Sequence, residues 1–257
     1  MSGPRSARYP VPPTLFIGRA GWSLSRTEQA HVPAEGTSIL ERYAQRFPAV
    51  EINSSFYRPH RPTTYARWGG CVPPEFRFAV KVPKRITHEQ RLVAVEPLVD
   101  AFLAEATCLG ERLGPLLVQL PPSFAYDEGV ARTFFGSLRA RFAGDVVFEP
   151  RHATWFTADV ERLLRDLRVA RVAADPARVP EAAEPAGWPG IVYYRLHGSP
   201  RVYYDTYGDE YLDALAVRMR SHLARSSAPV WCIFDNTALG AATTNAVGLM
   251  RRLDKGA

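Results

Sequence analysis

The chain has 257 residues, a length that allows one large α/β domain with its own core. Three cysteines without a paired motif argue against a disulfide-stapled domain or a zinc knuckle, and we expect no membrane span because no apolar run approaches ~20 residues. The formal net charge of +6 favours an anionic partner, either a phosphate compound or nucleic acid, and we expect a cytoplasmic protein.

The first 14 residues carry four prolines and no apolar centre, so they predict a flexible N-terminal tail without the features of a signal peptide. Residues 15–257 are predicted to form a single domain. Eight short apolar runs follow along this part of the chain, each ending in polar or charged residues. These predicted strands cover residues 15–18, 49–53, 76–81, 115–119, 146–151, 169–175, 192–197 and 230–236.

Amphipathic stretches separate several of the strands. Ser38 with Glu41 forms a capping box that starts one helix, and Asp127 and Thr157 are candidate caps for two more. Apolar stripes beginning at Leu212 and Ala242 predict two further helices near the end of the chain. Strands alternating with helices at this count are typical of a (β/α)8 TIM-type barrel, which is the fold we predict.

The segment 176–190 carries four prolines and therefore predicts no regular helix. It follows the sixth strand, so we expect it to lie over the mouth of the barrel. A lid and a disordered connection are both compatible with such a loop.

Side chains alternate between the two faces of a strand, and the apolar positions identify the outer face. The remaining positions face the interior: Glu51 and Asn53 on the second strand, Lys81 on the third, Glu149 and Arg151 on the fifth, and Tyr193, Arg195 and His197 on the seventh. Gln119 closes the fourth strand and Asp175 the sixth, and on the eighth either Asp235 or Asn236 faces inward.

Active sites of TIM barrels lie at the carboxyl ends of the strands, where these polar residues fall. Glu51, Glu149 and His197 are the candidate catalytic acids and bases. The candidate substrate-binding residues are Asn53, Lys81, His88, Gln119, Arg151, His152, Asp175, Arg195, Asp235 and Asn236. The three inward cations Lys81, Arg151 and Arg195 favour a hydrolase or lyase that acts on a phosphorylated or nucleic-acid-like substrate.

Three other interpretations remain open. Carboxylates and His197 could hold a divalent metal in a hydrolase or nuclease-like barrel, although the nearby cations oppose this, and no cofactor is otherwise expected. Aromatic residues of the loops, such as Tyr203 and Tyr204 beside Arg201, could stack on bases in a non-catalytic binding module. The inward charges could also form a structural ion-pair network, with Glu51, Glu149 and Asp175 facing the three cations.

Several short motifs recur in order over nearly the whole chain. They are Gly21-Trp22, residues 49–57 (AVEINSSFY), Phe78-Ala79-Val80-Lys81, Ile86-Thr87-His88, Gln119-Leu120-Pro121-Pro122, residues 148–152 (FEPRH), Arg195-Leu196-His197-Gly198 and Phe234-Asp235-Asn236-Thr237. On these motifs the chain resembles the YecE-like family, domain of unknown function 72. The resemblance implies a TIM-type barrel and leaves the activity open. Asp235 stands where the family usually has an asparagine, which adds a carboxylate to the barrel mouth.

Overall fold

The computed structural model describes residues 14–254. The tail predicted over residues 1–14 lies outside the described residues, apart from Thr14. Within them, no helix combines the length and the apolar character that crossing a membrane requires.

The described residues form an α/β fold with parallel strands in two sheets. The strands are β1 (Leu15–Arg19), β2 (Ala49–Ile52), β3 (Arg77–Lys81), β4 (Leu113–Gln119), β5 (Val146–Glu149), β6 (Val169–Arg171), β7 (Ala173–Asp175), β8 (Ala186–Gly187), β9 (Val192–Leu196) and β10 (Val230–Phe234). One sheet has the order β1-β10-β9-β7 and the other the order β2-β3-β4-β5-β6-β8. All eight predicted runs therefore contain strands, and the sixth is divided in two at Val172.

The two sheets approach each other at both ends of their strand order. An isolated parallel bridge joins Ala20, after β1, to Glu51 of β2, and the Gly21 amide donates to the Glu51 carbonyl at 2.8 Å. At the other side, the amide of Val172 donates to Phe148 of β5 at 2.9 Å, whereas β7 immediately after it pairs with β9. Strands of both sheets thus border a common interior.

Helices connect most of the parallel strands. They are α1 (Ile39–Ala44), α2 (Pro62–Gly70), α3 (Glu96–Ala106), α4 (Glu128–Arg141), α5 (Ala158–Asp166), α6 (Asp209–Arg225) and α7 (Ala241–Asp254). The three predicted caps are confirmed, since Ser38, Asp127 and Thr157 each accept a hydrogen bond from the amide three residues later. The carboxylate of Glu41 binds Thr37 instead of closing the capping box on Ser38.

The sequence predicts that the segment 176–190 lies over the carboxyl ends of the strands, but the structure places its second half elsewhere. Its second half turns back along β6, where Ala186 and Gly187 pair antiparallel with Arg171 and Ala170. The amide of Gly187 donates to Glu161 of α5 at 2.7 Å. This segment therefore occupies the edge of β6. Its helical part is the single turn Pro180–Ala183, because the four prolines of the segment prevent a longer helix.

Two apolar clusters follow from the alternation of side chains along the strands. The larger one lies between strands and helices and contains Phe78, Val80, Phe148, Tyr194 and Leu196, as the outer face predicted. The smaller one fills the interior with side chains from both sheets: Ala20, Ala49, Ala79, Leu117, Val147, Ala170, Val172, Ile191, Tyr193, Trp231 and Ile233. Small residues on one side leave room for Trp231, which stacks on Phe16 and on Tyr193.

Gly18 lies where β1 closely approaches β2. A Cβ atom at this position would overlap the backbone carbonyl of Ala49. We expect Gly18→Ala to lower the free energy of unfolding by about 1–3 kcal/mol, because one strand must move to relieve the clash. Chemical denaturation measures this change.

Gly136 is the matched control for this substitution. It lies inside α4, and a Cβ there meets no atom within 4 Å. Gly136→Ala should therefore raise stability by about 0.5–1 kcal/mol, because alanine favours the helix. Equal effects of the two substitutions would contradict the close strand contact at Gly18.

Candidate functional site

Charged side chains meet at the carboxyl ends of strands from both sheets. Glu51 lies in β2, Glu149 in β5 and Arg195 in β9. His197 directly follows β9, and Asp235 directly follows β10. We call these five residues the charged cluster. Each of them is at most 5% exposed, although such groups are rarely buried unless they are paired.

Arg195 lies at the centre of the charged cluster. Its Nη2 is 2.8 Å from Glu51 Oε1 and 3.0 Å from Asp235 Oδ2, and its Nε is 3.1 Å from Glu51 Oε2. Its Nη1 is 3.3 Å from Glu149 Oε2. All three guanidinium nitrogens are thus committed to carboxylates, which satisfies a charge that would otherwise be costly to bury.

His197 bridges two of the same carboxylates. Its Nε2 lies 3.0 Å from Glu149 Oε1, and its Nδ1 lies 3.0 Å from Asp235 Oδ2. An imidazole that faces a carboxylate on each side donates from both nitrogens only when it carries both protons. The geometry therefore favours an imidazolium at this position.

The pKa values of the cluster shift in the directions that this pairing requires. Burial alone would lower the pKa of His197, but the charge of Glu149 and the hydrogen bonds to both carboxylates raise it above its usual value. Burial would raise the pKa of Glu149, yet His197 and Arg195 hold it well below its usual range. The pKa of Asp235 is lowered in the same way, chiefly by Arg195. Glu149 and Asp235 therefore stay ionised around neutral pH, and His197 keeps its second proton to a higher pH than an ordinary histidine does.

Tyr193 connects the charged cluster to the interior apolar cluster below it. Its hydroxyl donates to Glu51 Oε2 at 2.9 Å, and its ring stacks on Trp231. Burial and the nearby Glu51 carboxylate raise the pKa of Tyr193 well above its usual value, so the hydroxyl keeps its proton. Alternation placed Tyr193 inward, but the sequence alone gave no sign that it holds Glu51.

Lys81 and Arg151 border the charged cluster and form what we call the cationic margin. Arg151 Nε is 3.9 Å from Glu149 Oε1, a loose pair, and its side chain is 19% exposed. The Lys81 ammonium lies 4.1 Å from the centre of the Phe56 ring. Within residues 14–254 it makes no hydrogen bond or ion pair. These two cations are less fully neutralised than Arg195.

Burial and repulsion by Arg195 lower the pKa of Lys81 to about 8, against the opposing attraction of the carboxylates. His88 stands in a single π-helical turn, Arg85–Glu89, soon after β3. Burial, Lys81 and Arg151 lower the pKa of His88 to about 4, so its ring is neutral. Its Nδ1 lies 2.9 Å from the Thr87 hydroxyl, and its ring packs edge-on against Phe56.

Three amide side chains predicted to contact substrate have a buried atom without a partner among the described residues. These atoms are Gln119 Nε2, a donor, and the acceptors Asn53 Oδ1 and Asn236 Oδ1. Gln119 pairs in register with Glu149, which places it beside the charged cluster. Unpaired buried polar atoms are rare in folded proteins, and they suit a site that a ligand or water completes.

Two of the predicted residues, His152 and Asn236, have local hydrogen-bond partners. His152 accepts a hydrogen bond from the Thr154 amide and caps the short turn Ala153–Trp155. Asn236 donates to the Asp205 carbonyl and to Asn245, which resolves the ambiguity on the eighth strand in favour of Asp235 as the inward residue. The prediction that these side chains touch substrate stays untested.

The structure corrects the predicted ion-pair network at Asp175, which pairs with a tyrosine instead of a cation. Its carboxylate accepts a hydrogen bond from Tyr207 at 2.8 Å, and the same tyrosine hydroxyl accepts from the Gly198 amide. In the structure Asp235, instead of Asp175, is the third carboxylate of the network, and it lies beside Arg195. The reason is the loop after β9, which brings Tyr207 against the end of β7 and offers Asp175 a neutral partner.

Sequence reasoning also missed a second buried ion pair. Arg19 of β1 lies 2.5 Å from Glu28 and 2.7 Å from the Thr243 hydroxyl of α7. Glu28 and Thr243 also contact each other at 2.7 Å. This pair fastens the loop after β1 to the last helix, on the helix side of the strands. Arg19 and Glu28 are nine residues apart on different elements, and Thr243 is 224 residues from Arg19, so no helix or strand periodicity predicts the pair.

The described residues contain no group of three or more histidine, cysteine, aspartate or glutamate side chains placed to hold a metal ion. In the charged cluster, the oxygens of Glu51 and Glu149 point at Arg195, His197 and Tyr193. A divalent ion would have to displace those partners.

A family model described as protein of unknown function DUF72 matches residues 16–257, which confirms the resemblance found in the motifs. UPF0759 protein YecE of Escherichia coli K12 is 33% identical over 177 residues, covering 66% of this chain and 62% of that protein. UPF0759 protein YunF of Bacillus subtilis 168 is 29% identical over 153 residues, covering 56% of this chain and 52% of that protein. The alignments thus span less than two thirds of these relatives.

Solved structures of DUF72 family proteins resemble this one. The protein from Enterococcus faecalis V583 matches with a TM-score of 0.79 and 22% identity, covering 93% of this chain and 95% of that one. The protein from Thermotoga maritima MSB8 matches with a TM-score of 0.75 and 22% identity, covering 94% and 99%. Identity at this level indicates a shared fold and carries no statement about activity.

Proposed function

The chain belongs to the DUF72 family, and we propose that it is an enzyme that binds a small phosphate-bearing substrate beside the charged cluster and performs acid–base chemistry on it. The observation that carries the proposal is the cationic margin. Lys81 has no ion-pair partner in residues 14–254, and Arg151 has only a loose one, so both can bind an anion. Arginine and lysine are the residues that most often bind phosphate.

The proposal includes a closed (β/α)8 barrel assembled from the two sheets. In it β6 and β7 act as one strand interrupted at Val172, and the bridge from Ala20 to Glu51 closes the gap between β1 and β2. The interior apolar cluster supports this arrangement, because it draws side chains from strands of both sheets. The cationic margin would then stand at the carboxyl ends of the strands, where barrel enzymes bind substrates.

The charge balance also supports an anionic ligand. Three carboxylates, Glu51, Glu149 and Asp235, face Arg195 and the protonated His197, to which Lys81 and Arg151 add two further cations. A monoanionic group at the margin would leave the whole set neutral. Because the site is buried, the attraction between such a group and the cations is stronger than it would be in water.

The proposal divides the roles among the candidate residues. Lys81 and Arg151 bind the anion, and the unpaired amides of Gln119 and Asn53 orient the substrate. Arg195 is a positioning residue, because its nitrogens are already engaged. This division of roles differs from the sequence-based prediction, in which Lys81, Arg151 and Arg195 all bind the phosphate directly.

Asp235 is the proton acceptor of the proposal. It uses Oδ2 for both Arg195 and His197, and no hydrogen bond of the described residues ends on Oδ1. Glu51, Glu149 and His197 hold its geometry and its ionised state. The metal-dependent alternative is weaker, because the carboxylate oxygens it needs are hydrogen-bonded to cations.

Removing Arg151 should weaken anion binding strongly. We expect Arg151→Gln to lower the affinity for inorganic phosphate, measured by isothermal titration calorimetry, by roughly tenfold or more, because a charge-assisted hydrogen bond contributes about 1.5–3 kcal/mol. Arg132→Gln is the control, since Arg132 lies on the exposed face of α4 and pairs with Glu128. It should leave the affinity unchanged.

The choice of probes separates the ligand classes. A sugar phosphate, a nucleotide and a short single-stranded oligonucleotide are titrated at two salt concentrations alongside phosphate. An affinity for the oligonucleotide that falls steeply with salt favours extended nucleic-acid binding over a small substrate. Absence of binding by all four probes, or equal losses in Arg151→Gln and Arg132→Gln, would refute the proposed anion site.

A further inference from the structure

We propose that Lys81 is a nucleophile that forms a covalent imine with a carbonyl group of the substrate. This inference rests on the proposed function and refines it: Arg151 holds the phosphate, Lys81 attacks the carbonyl carbon, and the substrate is narrowed to a small phosphate-bearing aldehyde or ketone. The structural basis is the placement of the Lys81 amine, which is held beside the charged cluster without being paired by it.

The first observation is the surroundings of the amine. Lys81 is 5% exposed, and its Nζ lies over the ring of Phe56 at 4.1 Å. The carboxylates that could hold it as an ammonium are bound to other cations: Glu51 to Arg195, and Glu149 and Asp235 to both Arg195 and His197. A buried lysine left outside the ion pairs loses its proton more easily than an exposed one.

The second observation is the precision with which this amine is placed. The Ser55 hydroxyl lies 2.7 Å from the Lys81 carbonyl and 2.9 Å from the Ile52 carbonyl. It fastens the short turn Ser54–Phe56 to the end of β3, and that turn carries the ring beneath the amine. The next amide, of Val82, is bound to Leu117 at 2.9 Å. The lysine and its aromatic neighbour are therefore fixed relative to each other.

The protonation state supports nucleophilic chemistry. Burial and the charge of Arg195 bring the pKa of Lys81 to about 8. At neutral pH its free-amine fraction is then roughly a few hundredfold larger than that of an ordinary lysine. An amine must be unprotonated to attack a carbonyl carbon, so this shift addresses the first requirement of the reaction.

The reaction can be written with the groups in place. The nitrogen lone pair of Lys81 forms a bond to the carbonyl carbon, and the electrons of the carbon–oxygen π bond move to the oxygen. Asp235, whose charge already acts on Lys81, accepts the proton lost from the nitrogen. Asp235 returns that proton to the oxygen, and a second proton from solvent lets the resulting hydroxyl group leave as water while the nitrogen lone pair forms the carbon–nitrogen double bond. The nitrogen keeps its remaining hydrogen, so the product is a protonated imine.

The chain itself supplies unusually clear controls. It contains three lysines, Lys81, Lys84 and Lys255. The side chain of Lys84 is 47% exposed and pairs with Glu89 at 3.1 Å. Lys84 therefore has the solvated ammonium that Lys81 lacks, only three positions away in the sequence.

Borohydride trapping tests the inference on the full-length protein. The protein is incubated with glyceraldehyde 3-phosphate or dihydroxyacetone phosphate and sodium cyanoborohydride at pH 7.5, and the modified lysines are identified by peptide mass spectrometry. Hydride addition converts the imine into a stable secondary amine. We expect Lys81 to be labelled at least tenfold faster than Lys84, and Lys81→Arg to lose that label while Lys84→Arg keeps it.

Parallel measurements separate the two proposals. Phosphate binding by calorimetry in Lys84→Arg and in the unmodified protein establishes whether the anion site exists. Phosphate binding without selective labelling of Lys81 would overturn the imine and leave the anion site intact. Selective labelling by glyceraldehyde and dihydroxyacetone, the unphosphorylated probes, at the same rate would support the nucleophile and refute phosphate recognition. Equal labelling of Lys81 and Lys84 overturns the inference.

Discussion

Replacing Arg195 with methionine is expected to lower the free energy of unfolding by about 3–5 kcal/mol. Glu51, Glu149 and Asp235 all depend on this guanidinium, at distances of 2.8 to 3.3 Å. Without it three buried carboxylates would face the imidazolium and the more distant cations Lys81 and Arg151, and at least one carboxylate would have to take up a proton. Denaturation in urea, followed by circular dichroism near pH 7, measures the change.

Two further variants calibrate the result. Arg132→Met removes an exposed arginine paired with Glu128 at 2.8 Å, and it should leave the free energy of unfolding almost unchanged. Arg195→Lys keeps a positive charge but cannot reach all three carboxylates, so its stability should lie between those of the native protein and Arg195→Met. A loss below about 1 kcal/mol in Arg195→Met would mean that the carboxylates are solvated rather than held by Arg195.

The second large effect is a pH dependence of stability that comes from His197. Because the pKa of His197 is raised in the folded state, its contribution is fully present below the unfolded value of about 6.5. It is lost as the pH rises through the folded-state pKa. We expect the stability advantage of the native protein over His197→Gln to be largest between about pH 4.5 and 6.5. Above that range the advantage should shrink by up to about 1.4 kcal/mol per pH unit.

The acid limit of this window comes from the carboxylates. The lowered pKa values of Glu149 and Asp235 give stability that is present above about pH 4 and is lost as the pH falls. His222 provides a control of opposite sign, because burial lowers its pKa and favours its neutral form. The advantage over His222→Gln should therefore grow as the pH rises through 6.5. A constant difference for His197→Gln between pH 6 and 9 would show that His197 carries no extra proton.

The strand pattern and the inward residues were predictable, because both depend on local alternation. Apolar residues every second position assigned Lys81, Glu149 and Arg195 to the interior, and the structure places all three there. The same logic failed at the end of the eighth strand, where Asp235 and Asn236 are adjacent polar residues. Their roles depend on the partners His197 and Asn245, which the sequence does not place in space.

Pairing among the inward charges was not predictable. Charge type alone made Asp175 as good a partner for the cations as Asp235. The difference arises from Tyr207, whose hydroxyl occupies the Asp175 carboxylate. In the same way, the position of Phe56 beside Lys81 depends on Ser55, which binds the carbonyls of two different strands. These contacts depend on how loops fold back onto strand ends, and that information is not carried by periodicity.

The charged cluster has a consequence for how the chain can assemble. Glu51 and Arg195 are 144 residues apart in sequence, and they belong to different sheets. A growing chain that ends at β6 already contains Glu51 and Glu149, but it lacks Arg195, whose charge offsets the free-energy cost of removing these carboxylates from water. Water can therefore leave the interior only after β9 has been added. A fragment that ends before β9 has no route to this core, so the two sheets form one cooperative unit.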